Sequence, residues 1–258
     1  NHPLAFVFSS TVAWVVLVVV FTGVASTALG RPYGDPMTDT IGRLAVIASI
    51  LLLMWCLNWL DSSGVARLGN WQVWLIAIGG LIYFASVSLY SFYGEIALDL
   101  PSLIRSPSFR TVVLTNLVIV LSEEFQFRGL LLYALIRVWG HTKRGLFGSL
   151  IVTSVLFSML HLTQVFTHGV SPTSAVYLTL ETCFVSIWWG ALVLWGGSIW
   201  PAVMLHFFVN ALVAVQGLSF AMVDPEIVAY RQILWFSIPL GVLGIWLGSN
   251  VVHRPSGK

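Results

Sequence analysis

"AFVFSSTVAWVVLVVVFTGVASTAL", residues 5–29, runs for twenty-five residues without a charge. About 20 mainly apolar residues in a helix suffice to cross the hydrocarbon core of a bilayer. The stretch has no basic flank on its N-terminal side and is longer than the apolar region of a signal peptide, so it reads as a retained span. Seven further stretches of this kind follow, near 41–60, 72–93, 111–139, 145–166, 173–195, 198–220 and 231–252. Between them lie segments with turn chemistry, among them "GRPYGDP", "LDSSG", "GHTKRG", "THGVSPTS" and "WGGSIWP".

Backbone groups left unpaired in lipid are costly, so these runs are predicted to be helices; a barrel would need an alternation of apolar and polar residues that they lack. The expected fold is all-α, a polytopic transmembrane bundle of about eight spans. It forms one integral-membrane domain over 1–258, with its polar motifs in 111–220. The segment 94–110 is expected to be either a link or an interfacial amphipathic helix. The chain begins on Asn1 rather than Met, as an excised or processed piece of a longer chain would.

Composition agrees: 58% of the 258 residues are hydrophobic, 9% are charged, and the mean hydropathy is +0.91. These values exclude an ordinary soluble protein and make the lipid bilayer the first partner. A formal net charge of +2, with Lys and Arg scattered singly or in pairs, leaves no basic surface for nucleic acid. Cys56 and Cys183 sit inside apolar runs, where a buried free thiol is the usual state. Six Lys or Arg in the links on the side of the termini against five opposite favour cytoplasmic termini.

Against this background the charges inside spans stand out, because each costs at least roughly 2.5–3.5 kcal/mol to insert. In "LSEEFQFRGLLL", residues 121–132, Glu124 lies four residues before Arg128, the favourable order for a helical ion pair. At 100° per residue their directions differ by about 40°, whereas Glu123 points about 140° from Arg128. Glu124 is therefore expected to be held by Arg128, and Glu123 to be left without a fixed cation. Two imidazoles occur in later spans: "FSMLH" ends at His161, and "HFFVN" runs from His206 to Asn210, one helical turn later. A free carboxylate, two imidazoles and an amide are the parts needed to activate a water. Glu123 can take the proton, assisted by His161, while His206 and Asn210 donate to the oxyanion of an attacked amide. No cofactor is required in this reading. In a second reading Glu123, His161 and His206 ligate a divalent metal such as zinc with an open position for water, although the chain has no H-E-x-x-H motif.

The ordered set E-E-x-x-x-R, F-x-x-x-H and H-x-x-x-N, spanning residues 123–210, resembles the three motifs of the CAAX prenyl protease 2 and bacteriocin-processing (CPBP, or Abi) family of intramembrane endopeptidases. The resemblance implies that Glu123 activates water, that His161 assists it, that His206 and Asn210 form the oxyanion site, and that Glu124 and Arg128 support them. It implies hydrolysis of a membrane-anchored protein or peptide in a bacterial or archaeal cell membrane, without establishing a prenylated substrate. Structural readings compete: Glu124 and Arg128 can be an interhelical pair, and Asn210 can be hydrogen-bond glue between helices. Glu181 belongs to none of the motifs and reads as structural, Phe157 as a wall beside His161, and His141 and His168 as link residues. An idle scaffold or immunity protein, or an ion-coupled transporter, would also carry charges at this depth, but a transporter usually shows a repeat that is absent here.

Overall fold

Three helices begin in the same way, with a side chain that accepts a hydrogen bond from an orphan backbone N–H of the first turn. Asp35 accepts from Met37, Thr142 from Gly145 and Ser171 from Ser174. Pro36 and Pro172 occupy the first helical position after two of these caps, where the missing N–H removes nothing from the ladder. Two helices end on a glycine in the left-handed conformation, Gly30 at φ 61° and Gly197 at φ 66°. All these residues lie in the links expected from turn chemistry.

The computed structural model describes residues 2–91, 105, 107–167, 169–219 and 233–250. Eight helices, and no strand, are found among them: α1 (Pro3–Leu29), α2 (Pro36–Cys56), α3 (Trp71–Ser91), α4 (107–139), α5 (143–167), α6 (Pro172–Gly196), α7 (Trp200–Ser219) and α8 (233–250). They match the eight expected stretches to within a few residues at each end. By length and composition five of them, α1, α2, α5, α6 and α8, can cross a membrane, and α3 and α7 contain shorter apolar helices. The protein is an integral membrane helical bundle. The segment 94–110 and His168 lie largely or wholly outside the described residues.

Two helices are interrupted where chemistry is expected. In α4 the eight residues Phe125–Leu132 form a π-helix between α-helical flanks, a widened turn that recurs at functional sites. In α5 a 3₁₀ turn, Leu160–Thr163, carries His161.

The buried side chains form a cluster that draws on all eight helices. At its centre lie the π segment of α4, buried at every residue, and the middle of α6, buried from Val185 to Val193. Trp188 is wholly enclosed: a Cβ added at Gly244 of α8 would lie 2.6 Å from the Trp188 Cα. The α1 helix is peripheral. It meets α2 where a Cβ on Gly42 would come within 2.5 Å of Thr22 Oγ1, and it meets α4 through Trp14, edge-on to Phe127 with centroids 5.8 Å apart. Cys183 is half-buried, but Cys56, expected to be buried, is exposed. It is the last residue of α2, where the helix runs out of neighbours.

Candidate active site

The α4 motif and the α7 imidazole come together. His206 is buried with both ring nitrogens facing carboxylates: Nδ1 is 2.8 Å from Glu124 Oε1, and Nε2 is 3.7 Å from Glu123 Oε2. A carboxylate only accepts hydrogen bonds, so the short contact assigns the proton to Nδ1, which donates to Glu124. This fixes the ring's orientation and leaves Nε2 turned toward Glu123. The Nε2 contact is too long for a hydrogen bond.

Glu124 and Arg128 are paired as the spacing predicts, with Nη1 3.1 Å from Oε1 and both side chains almost wholly buried. The distance is that of an ion pair, but Nη1 is not aligned for a hydrogen bond. The guanidinium is held from α6 as well: Arg128 Nη2 donates to Ser186 Oγ at 2.9 Å. Its flat face lies 4.4 Å from the Phe157 ring centroid and 5.6 Å from that of Trp189, the stacking for which Arg is suited. Phe157 also lies edge-on to both imidazoles, 5.3 Å from His161 and 5.8 Å from His206. Trp189 stacks on His206 at 4.5 Å. The two rings wall the ionic cluster and set the planes of its imidazoles.

One expectation is overturned. Glu123 is not without a cation: Arg43 of α2 brings Nη1 to 3.8 Å from Glu123 Oε1. Arg43 lies two turns inside α2, and α2 packs against α4. A signal was present. Asp39 and Arg43 are four residues apart at the start of an apolar run, the same spacing as Glu124 and Arg128. The helical-wheel contrast between the two carboxylates also fails in part, since both face His206. The imidazole arrives from a different helix and sits between them.

His161 stands at the edge of the cluster, its ring 5.3 Å from that of Phe157 and its Nδ1 buried. Asn210 lies one turn beyond His206 on α7 and is half-buried; the carboxylate–imidazole contacts do not extend to it. Glu181 is half-buried on α6, outside the cluster, and His141 is exposed in the link before α5. Ser186 and Trp189 were not expected; the polar and aromatic residues of "VSIWWG" within an apolar run were their signal.

The alternative metal site fits poorly. Glu123 Oε2 and His206 Nε2 are 3.7 Å apart, a separation that one ion can bridge. Yet among the described residues no three His, Cys, Asp or Glu side chains gather as a ligand set, and His161 does not complete one.

Comparison with curated proteins and with solved structures finds no match for this chain. Comparison with protein families does: residues 105–212, which supply every member of the cluster except Asp39 and Arg43, match the family described as type II CAAX prenyl endopeptidase, Rce1-like. Through that segment the chain is similar to the CAAX protease family.

Proposed function

We propose that the chain is an intramembrane endopeptidase that cleaves a membrane-anchored protein or peptide near its end, using a water activated by Glu123 and requiring no cofactor. The observation that carries this reading is the placement of His206 between two carboxylates of unlike environment. Glu124 is fully buried, bound to Arg128 and committed to the imidazole Nδ1–H. Glu123 keeps 15% of its side-chain surface exposed, so water can reach it. A water about 2.8 Å from both Glu123 Oε2 and His206 Nε2 can sit beside their 3.7 Å gap.

The steps follow from these positions. Glu123 takes a proton from the water as its oxygen attacks the amide carbon of the substrate. The charge that develops on the carbonyl oxygen is met by donors from α7, the Asn210 amide and, when the imidazole carries a second proton, the Nε2–H of His206, whose Nδ1–H stays on Glu124. When the C–N bond breaks, the proton held by Glu123 passes to the leaving nitrogen, with His161 assisting. Glu124 and Arg128 hold the imidazole still, and Phe157 and Trp189 keep lipid away from the charges. Among the described residues the buried Glu124 Oε2 has no hydrogen-bond partner, consistent with a site that admits water. The termini are proposed to face the cytoplasm.

The test uses purified protein in detergent micelles. Two internally quenched peptides serve as probes, one ending in an S-farnesylated CAAX sequence and the other its unmodified counterpart. The wild-type chain is expected to cleave at least one, and Glu123→Gln to lower kcat by roughly 10²- to 10⁴-fold with its thermal unfolding unchanged. Cleavage by Glu123→Gln at the wild-type rate sinks the mechanism. A wild-type chain inert toward both peptides returns the fold to the idle-scaffold reading.

A further inference from the structure

We infer that Arg43 is a positioning residue for the Glu123 carboxylate, so that α2, which lies outside the family segment, completes the hydrolytic site. The inference rests on the proposed role of Glu123. Its basis is how the guanidinium is fixed. On one side Arg43 Nε donates to both carboxylate oxygens of Asp39, at 3.2 and 3.1 Å, one turn back on the same helix. On the other side Nη1 crosses to α4 and donates to Ser122 Oγ at 3.1 Å. The Ser122 hydroxyl is itself turned, since it donates to the Ile119 carbonyl at 2.8 Å. With Nε and Nη1 both engaged, the guanidinium fork cannot swing away, and Nη1 stands beside Glu123 Oε1.

The two oxygens of Glu123 thus have different neighbours: Oε1 faces the Arg43 cation and Oε2 faces His206 Nε2. A carboxylate with one partner can rotate about its last torsion. One addressed at both oxygens holds its plane, which is what a base needs if it is to meet a water at a fixed angle. The 3.8 Å separation suits this role, since it orients the carboxylate by charge without occupying Oε1 in a direct hydrogen bond. A side chain that served only to join α2 to α4 would be sufficiently bonded through Asp39 and Ser122, with no reason to place its charge at Glu123.

The experiment compares Arg43→Gln, Arg43→Lys, Asp39→Asn and Glu123→Gln with wild type, using the peptide probe that wild type cleaves. Rates are expressed per folded molecule. Arg43→Gln is expected to lower kcat on the order of 10- to 100-fold with KM within about twofold. Arg43→Lys restores the charge without the fork, and should recover most of that loss. Asp39→Asn keeps the Arg43 charge but loosens its anchor, and should lower kcat by a few-fold. If Arg43→Gln does not fold, Asp39→Asn carries the test, and unchanged kcat in it overturns the inference. Unchanged kcat per folded molecule in the Arg43 and Asp39 variants, with Glu123→Gln inactive, overturns this inference and leaves the proposed function intact. Full activity of Glu123→Gln overturns the proposed function itself.

Discussion

The α1 helix and the middle of α4 are built on opposite plans. Along α1 the most apolar stretch has a mean hydropathy of 2.5, yet only 17% of its residues are buried; Val12, Val16, Val19 and Val20 all face outward. In Phe125–Leu132 of α4 every residue is buried, Gln126 and Arg128 included. A soluble protein would reverse this assignment. In lipid, apolar side chains gain nothing from leaving the solvent, so hydropathy marks what lies outside. Charges that cannot face lipid are gathered where other helices can satisfy them. The two plans meet where Trp14 packs on Phe127 and the Gln126 amide donates to Ser10.

The comparison is broken most severely by removing the cation of the buried plan. In Arg128→Met, Glu124 keeps a charge in a fully buried position, with only the His206 Nδ1–H to meet it. Removing one partner of a buried pair typically costs about 3–5 kcal/mol. Unfolding in mixed micelles should show a loss of that size, together with loss of peptide cleavage as the His206 ring is released. A variant as stable as wild type would show that Glu124 is not charged in this site.

The second test lies on α1, where one helix has a face of each kind. Trp14 is buried against Phe127 and Val16 is half-exposed. Trp14→Ala should cost roughly 3 kcal/mol as an indole leaves its contact. Val16→Ala should stay within about 0.5 kcal/mol, since lipid replaces the lost methyl contacts. Equal effects in the same unfolding assay would mean that α1 is held by its outer face, against the burial pattern.

How far these plans could be read in advance follows from the same distinction. The eight helices were legible because each apolar run between turn residues carries its own evidence, and the capping residues Asp35, Thr142 and Ser171 punctuate it locally. The pairing of Glu124 with Arg128 was legible because it is set by spacing on one helix. Contacts between helices were not. Arg43 reaches Glu123 because α2 packs on α4, Ser186 reaches Arg128 because α6 packs on the other side, and no periodicity in either segment encodes that neighbour. The π turn at Phe125–Leu132 is equally silent, since "FQFRGLLL" contains no proline to break a helix.

An effect smaller than those of Arg128→Met and Trp14→Ala separates the charge of Arg128 from its hydrogen bonding. Ser186→Ala removes the 2.9 Å bond from Nη2 while leaving the Glu124 pair and the flanking rings of Phe157 and Trp189 in place. A buried charged donor that loses its one hydroxyl acceptor should cost about 1.5 kcal/mol, well below the loss for Arg128→Met. The reason for the gap is that the guanidinium remains neutralised by Glu124 and close to two aromatic faces, so only one further N–H goes unmet. A loss in Ser186→Ala as large as that in Arg128→Met would mean that α6, rather than the ion pair on α4, keeps the guanidinium in the core. The charge would then be tolerated there because of a neighbouring helix, and the buried plan would belong to the α4–α6 interface instead of to α4 itself.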